Sequence, residues 1–132
     1  MEGGMDPISS DEIVYRRILE QYYDKTNDAL APQAFRPVRS DTTGISVTRA
    51  KYATAEQAAR GRGGKRYYIA ALLVSDLHSI GLRIEPRPVP DNPGHAEIPE
   101  LVYETRRSDR SVEWQQVLAD KLHLEVMGPF PE

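Results

Sequence analysis

An α+β domain is the fold this sequence predicts: a small mixed or antiparallel sheet with two to four short helices packed on it. Three observations predict it. Residues 67–74, YYIAALLV, form a nearly unbroken apolar run of strand length, suited to crossing a core with both faces covered. Residues 111–122 place Val112, Trp114, Val117, Leu118 and Leu122 on one helical face. Short segments of strand character, GISV at 44–47 and LRIE at 82–85, sit beside turn-forming glycines, prolines and polar residues.

Size and composition bound the rest. The chain has 132 residues, enough for one domain and one core, predicted over residues 9–127 between a disordered tail at 1–8 and a C-terminal tail at 128–132. Hydrophobic residues make up 39% and charged residues 28%, the balance of a soluble globular domain. Seventeen basic against twenty acidic residues give a net charge of −3, which argues against a surface devoted to neutralising phosphates. Cysteine is absent, which excludes disulfides, thiolate nucleophiles and Cys-type zinc sites and fits a reducing cytoplasm. The start, MEGGMDPISSDEIVY, has no secretion-signal pattern, and the apolar run 69–74 is far too short to span a bilayer. The expectation is a cytoplasmic protein with no membrane association, whose oligomeric state composition leaves open.

Taken in order, Ser9 and Glu12 form an S-x-x-E capping pattern before Ile13, Val14, Arg17, Ile18 and Tyr22. That spacing is near-helical, yet VYRRI fits a strand equally, so residues 12–23 are open between the two. Residues 24–37 read as a long connection, either functional or concealing an element. Residues 44–47 form a strand after the Asp41-Thr42-Thr43 turn. Thr54 and Gln57 repeat the capping pattern and start a short helix through Arg60, which Gly61, Gly63 and Gly64 break. After the 67–74 strand, Ser75 caps a short helix stopped by Gly81. Residues 82–85 add another strand, so that strand, helix and strand resemble a compact crossover. Pro86, Pro88 and Pro90 confine the next segment to a sheet edge or a polyproline-like strut. Residues 96–98 pair again, and the 111–122 helix completes the order.

The stretch with most chemical content is PVPDNPGHAEI, residues 88–98. Asn92 before proline favours extended backbone, Asp or Asn side chains bond amides two residues on, and Gly94 permits positive φ or close backbone approach. Such a corner aims the next side chain along the chain, which is the imidazole of His95. His95 is the candidate catalytic acid–base group, with Asp91 and Asn92 as candidate binding residues and Asp91 a candidate to orient the ring. The alternative account is a turn histidine that bonds a nearby carbonyl; His95 is the first candidate in the chain.

Two further groups deserve weighing. Arg36 could clamp a phosphate or carboxylate, Asp41 could accept from a ligand, and Ser46 could be displayed by its strand; an ordinary turn entering a strand explains all three as well. Arg60, Arg62, Lys65 and Arg66 precede Tyr67 and Tyr68 in a glycine-rich loop, with Arg62 and Lys65 as candidate phosphate contacts to nucleic acid. The loop lacks the P-loop spacing, and a solvated connection accounts for it. Tyr15-Arg16-Arg17 could present cations to a cleft, as exposed positions of an amphipathic element do by default. His78, His95 and His123 share no metal-ligand spacing, so no metal or cofactor is expected, and there is no G-x-S-x-G elbow.

The succession YRRI, FRPVRSDTTGISVTRA and GLRIEPRPVPDNPGHAEI resembles a group of small bacterial proteins without assigned activity. The matching positions are Phe35, Arg36, Ile45, Ser46, Val47, Gly81, Leu82, Asp91, Asn92, Pro93, His95 and Ala96, within residues 14–98, and D-N-P-x-H-A is the most specific part. The resemblance implies a bacterial source and attention to His95, and no mechanism. The residues themselves support two function classes. The first is a non-enzymatic binding or accessory protein acting on a protein partner or small ligand through the proline-rich corner. The second is an enzyme acting on a nucleotide or nucleic acid, with His95 as acid–base group and Arg36 as anion clamp. The second requires Arg36, Ser46 and His95 to share one pocket; the first requires an exposed apolar or strand edge near residues 86–93.

Overall fold

A computed structural model describes residues 4–60, 65–104 and 108–130. The architecture is α+β, as expected, and the sheet is larger than expected. Eight strands are described: β1 (Ile13–Leu19), β2 (Tyr23–Asp24), β3 (Ala29–Leu30), β4 (Ile45–Arg49), β5 (Tyr67–Leu73), β6 (Glu85–Pro86), β7 (His95–Ile98) and β8 (Glu125–Phe130). Six of them form one sheet in the order β6-β7-β4-β1-β5-β8, antiparallel at every pairing, and β2 and β3 form a separate hairpin. Three helices are described, α1 (Ala55–Ala59), α2 (Val74–Ser79) and α3 (Asp109–Asp120). Among the described residues no helix is long and apolar enough to cross a membrane.

The YYIAALL segment is a strand, as its composition predicts, but not the centre of the sheet. That position belongs to β1 and β4, because VYRRI is extended and pairs on both sides. Period-two alternation decides the matter: Val14 and Ile18 are wholly buried on the core face, and Tyr15 and Arg17 point the other way. The S-x-x-E pattern at Ser9 is half made and starts no helix. The Ser9 amide donates to the Glu12 carboxylate at 2.9 Å, but the Ser9 hydroxyl turns to Asp11 instead of a backbone amide. The Ser10 and Glu12 carbonyls accept from the Ser75 and Val74 amides at 2.9 and 3.0 Å. Those carbonyls supply the amides at the start of α2, so Ser75 caps nothing, contrary to expectation. At the other end the Gly81 and Leu82 amides return to the His78 and Leu77 carbonyls, the stop predicted for Gly81.

Other expectations are corrected by long-range pairing. The crossover from β5 does not lay a neighbouring parallel strand; the chain travels to the far side of the sheet, where only Glu85 and Pro86 pair, as the outermost strand. Proline permits that edge position and no more central one. Residues 24–37 hide the β2–β3 hairpin and a 3₁₀ turn (Pro32–Phe35) that buries Phe35 completely. The expected C-terminal tail is β8 as far as Phe130, and the expected N-terminal tail is in contact with β4 from Gly4 to Pro7. Helix α3 begins earlier than expected, capped by the Ser108 hydroxyl.

The core lies on one face of the sheet, where Ile18, Ile45, Leu72 and Ile98 meet Phe35 and Leu118 with no exposed surface. Trp114 of α3 donates its indole N–H to the Ile80 carbonyl at 2.8 Å and fastens the helix to the end of α2. Helix α1 lies against the opposite face. Its capping box is complete, Thr54 accepting from the Gln57 amide at 3.1 Å and Gln57 from the Thr54 amide at 2.9 Å. Thr54→Ala is expected to cost about 1 kcal/mol, read as a lower urea midpoint at unchanged slope.

Candidate functional site

The site arises where two central strands part company. Strand β1 pairs with β5 along its whole length, but with β4 only at Val14–Arg49 and Tyr15–Thr48. Continuing that register would place Arg17 opposite Ser46. Instead the Ser46 carbonyl accepts from the Arg16 guanidinium at 3.0 Å, and Arg16 also donates to the Ala34 carbonyl at 3.1 Å. A side chain has replaced a ladder bond, which satisfies the carbonyl and holds the strands apart. Burial pushes the Arg16 guanidinium down to about 10, opposed by the nearby Asp41 carboxylate.

Over this parting opens a cavity of about 690 Å³, walled by β1, β4, α1 and the 89–93 turn. That is within the ~300–1,000 Å³ usual for small-molecule sites. Arg16, Arg17, Arg60, Asp91, Ser46 and His95 are among its lining residues. Among the described lining residues Arg17 and Arg60 stand against one carboxylate, Asp91, while the Arg16 guanidinium behind them is taken up by the Ser46 and Ala34 carbonyls. Arg17 lies over the Tyr67 ring at 4.9 Å and donates to the Arg60 carbonyl, which ties β1 to the end of α1.

The corner before His95 is built as its residues predict. The Asn92 side-chain oxygen accepts from the Gly94 amide at 3.1 Å, and its NH₂ donates to the Thr48 hydroxyl at 3.2 Å. Of the two roles open to Gly94, close approach is the one used: a Cβ there would lie 2.9 Å from Tyr52 Cβ and 3.2 Å from the Arg49 carbonyl oxygen. His95 itself opens β7, opposite Thr48. Its Nδ1 lies 2.8 Å from the Arg87 carbonyl oxygen and its Nε2 3.0 Å from Ser46 Oγ. A carbonyl cannot donate, so Nδ1 carries a proton; in the neutral ring Nε2 is bare and accepts from the Ser46 hydroxyl. The residue after edge strand β6 thus orients the imidazole, and Asp91 does not.

The sequence candidates therefore divide. Ser46, Asp91, Asn92 and His95 converge on the cavity. Arg36 does not: Phe35 is anchored in the core, and the next side chain emerges into a separate groove of about 390 Å³ beside Val38, Tyr103 and Ser111. Asp41 is a turn former, its carboxylate accepting from the Val38 amide at 2.7 Å. Lys65 is exposed and is not among the cavity's lining residues, and Arg62 lies outside the described residues. Among the described residues no cluster of three or more His, Asp or Glu could hold a metal ion.

Sequence inspection passed over Arg49, which has no exposed surface. Its guanidinium reaches Asp6 at 3.0 Å, Glu12 at 2.9 Å and the carbonyls of Gly4, Asp6 and Pro7. Lys51 adds a 2.6 Å pair to Asp6, and the Tyr52 hydroxyl donates to the same carboxylate. Tyr52 and Gly94 touch this cluster, and Tyr52 also lines the cavity, so the buried charges brace the cavity's back wall. Comparison with protein-family models, curated proteins and solved structures finds no match.

Proposed function

We propose that the protein binds a small, phosphate-bearing molecule in the cavity between β1 and β4. The observation that carries this is that Arg17, Arg60, Ser46 and His95 line one space of ligand size. Guanidinium groups favour phosphate through planar, charge-assisted hydrogen bonds. Tyr15 and Tyr52 on the same walls supply aromatic surface for a base or other ring, so a nucleotide is the first class to test. The absence of cysteine supports a cytoplasmic setting, where such ligands abound.

A protein partner added at the β6 edge of the sheet, beside the proline-rich corner, has less in its favour. Edge strand β6 is two residues long and includes Pro86, which offers no amide. Arg87 pairs with Glu97 at 3.0 Å and Arg83 with Glu100 at 2.6 Å, so charge surrounds the edge. Val89 is 40% exposed, and the 89–93 turn adds only the exposed rings of Pro90 and Pro93 beside it and no other large apolar side chain.

Calorimetric titration with nucleoside mono- and diphosphates and with inorganic phosphate tests the proposal. Binding is expected to weaken in Arg17→Gln by roughly ten- to a hundred-fold, the equivalent of one hydrogen bond to a charged group. The parent nucleoside is expected to bind far more weakly than its phosphate. Equal affinity for nucleoside and nucleotide, or no heat with any phosphate compound, would end this reading.

A further inference from the structure

We infer that Ser46 is a nucleophile activated by His95, and that the cavity cleaves a phosphodiester; this rests on the phosphate-binding reading above. The imidazole is held through both nitrogens, Nδ1 to the Arg87 carbonyl at 2.8 Å and Nε2 to Ser46 Oγ at 3.0 Å. A hydroxyl, a base within hydrogen-bond reach and a third group that orients the base together make an activated nucleophile. Here the third group is a backbone carbonyl of the edge segment. Stability alone does not call for the arrangement, because Ser46 and His95 are both half-buried and water could serve either one. Both side chains face the cavity and not the core.

The surroundings select the substrate class. Attack at phosphorus spreads negative charge over the non-bridging oxygens, and fixed cations around the reacting group stabilise that charge. Arg17 and Arg60 line the same cavity as Ser46. In the first step Ser46 Oγ bonds to phosphorus as the bond to the leaving alcohol breaks. The hydroxyl proton passes to His95 Nε2 and then to the departing alkoxide. In the second step Nε2 takes a proton from water, the hydroxide attacks phosphorus, and Ser46 leaves with that proton. One phosphodiester and one water become a phosphomonoester and an alcohol, with no change of oxidation state.

The absence of cysteine provides a probe that needs no substrate. Ser46→Cys places one thiol beside His95, and a base at hydrogen-bond distance draws thiols to the thiolate at lower pH. Alkylation by iodoacetamide at pH 6 is expected to be ~10-fold or more faster in Ser46→Cys than in Ser46→Cys with His95→Gln. Equal rates across the pH profile would overturn the activation. Hydrolysis of bis(4-nitrophenyl) phosphate by the unaltered protein tests the reaction. It is expected to fall by about a hundred-fold or more in Ser46→Ala and in His95→Gln, with thermal melts verifying that each variant folds. Turnover that is absent, or unchanged in both variants, would overturn the inference. AMP titration on the same samples separates the two proposals. AMP binding without turnover removes the reaction and keeps the ligand site, whereas no AMP binding removes the ligand reading on which the reaction depends.

Discussion

Replacing Arg49 with methionine is expected to destabilise the protein by roughly 3–5 kcal/mol, as when one member of a buried ion pair is removed. The guanidinium has no exposed surface and serves two carboxylates and three carbonyls, so methionine leaves Glu12 without its cation, Asp6 with the Lys51 cation alone, and three carbonyls without their donor. Urea unfolding measures the loss, and a change below about 1 kcal/mol would contradict the assignment. Adding Asp6→Asn and Glu12→Gln is expected to restore part of it. The same cluster sets the acid limit. Hydrogen bonds from Lys51, Tyr52 and Arg49 hold Asp6 well below the ordinary carboxylate range. Burial works to raise Glu12, but Arg49 and the Ser9 amide outweigh it and lower it. The folded state therefore binds fewer protons than the unfolded chain in acid. The carboxylates' contribution is complete above their unfolded values near ~4 and disappears as pH falls through the folded ones. Stability measured from about pH 6 downward is expected to decline less steeply in Arg49→Met than in the parent.

Gly44→Ala is expected to cost roughly 2–6 kcal/mol, from a strained backbone of ~1–3 kcal/mol and overpacking of ~1–3 kcal/mol. Gly44 has φ +129°, and a Cβ there would lie 2.4 Å from the Ile98 carbonyl oxygen and 3.0 Å from Pro99 Cα. Both neighbours are backbone and neither can swing away. Relief would come from sliding β4 against β7, and that register, Ile45 on Ile98 and Thr48 on His95, holds Ser46 near the imidazole. Ligand affinity is therefore expected to fall along with the unfolding midpoint. A variant that loses stability but keeps full affinity would show that the two strands do not transmit the strain.

Local chemistry was legible wherever a few neighbouring residues settle it. The Thr54 cap, the stop at Gly81, the Asn92–Gly94 turn and the confinement of Pro86 to an edge all depend on partners within a few residues or on backbone restrictions of one residue. The Ser9 pattern shows the limit of that logic. Its local bond forms, but carbonyls claimed by Val74 and Ser75, over sixty residues away, extend the chain. The position of β5 beside the sheet's edge strand and the strand identity of residues 125–130 likewise depend on pairing between distant segments.

The candidate site divides along the same line. Sequence by itself determined that residues 91–95 form a rigid corner aiming an imidazole, because Asn, Pro and Gly restrict backbone geometry wherever they stand. It also placed Ser46 on a short strand. Tertiary structure alone decided that these two meet at 3.0 Å, that Arg17 and Arg60 line the same cavity in place of Arg36, and that Arg49 gathers Asp6 and Glu12. The physical reason is that strand register and the parting of β1 from β4 are set by hydrogen bonds and burial summed over the whole sheet, which no short window of residues contains.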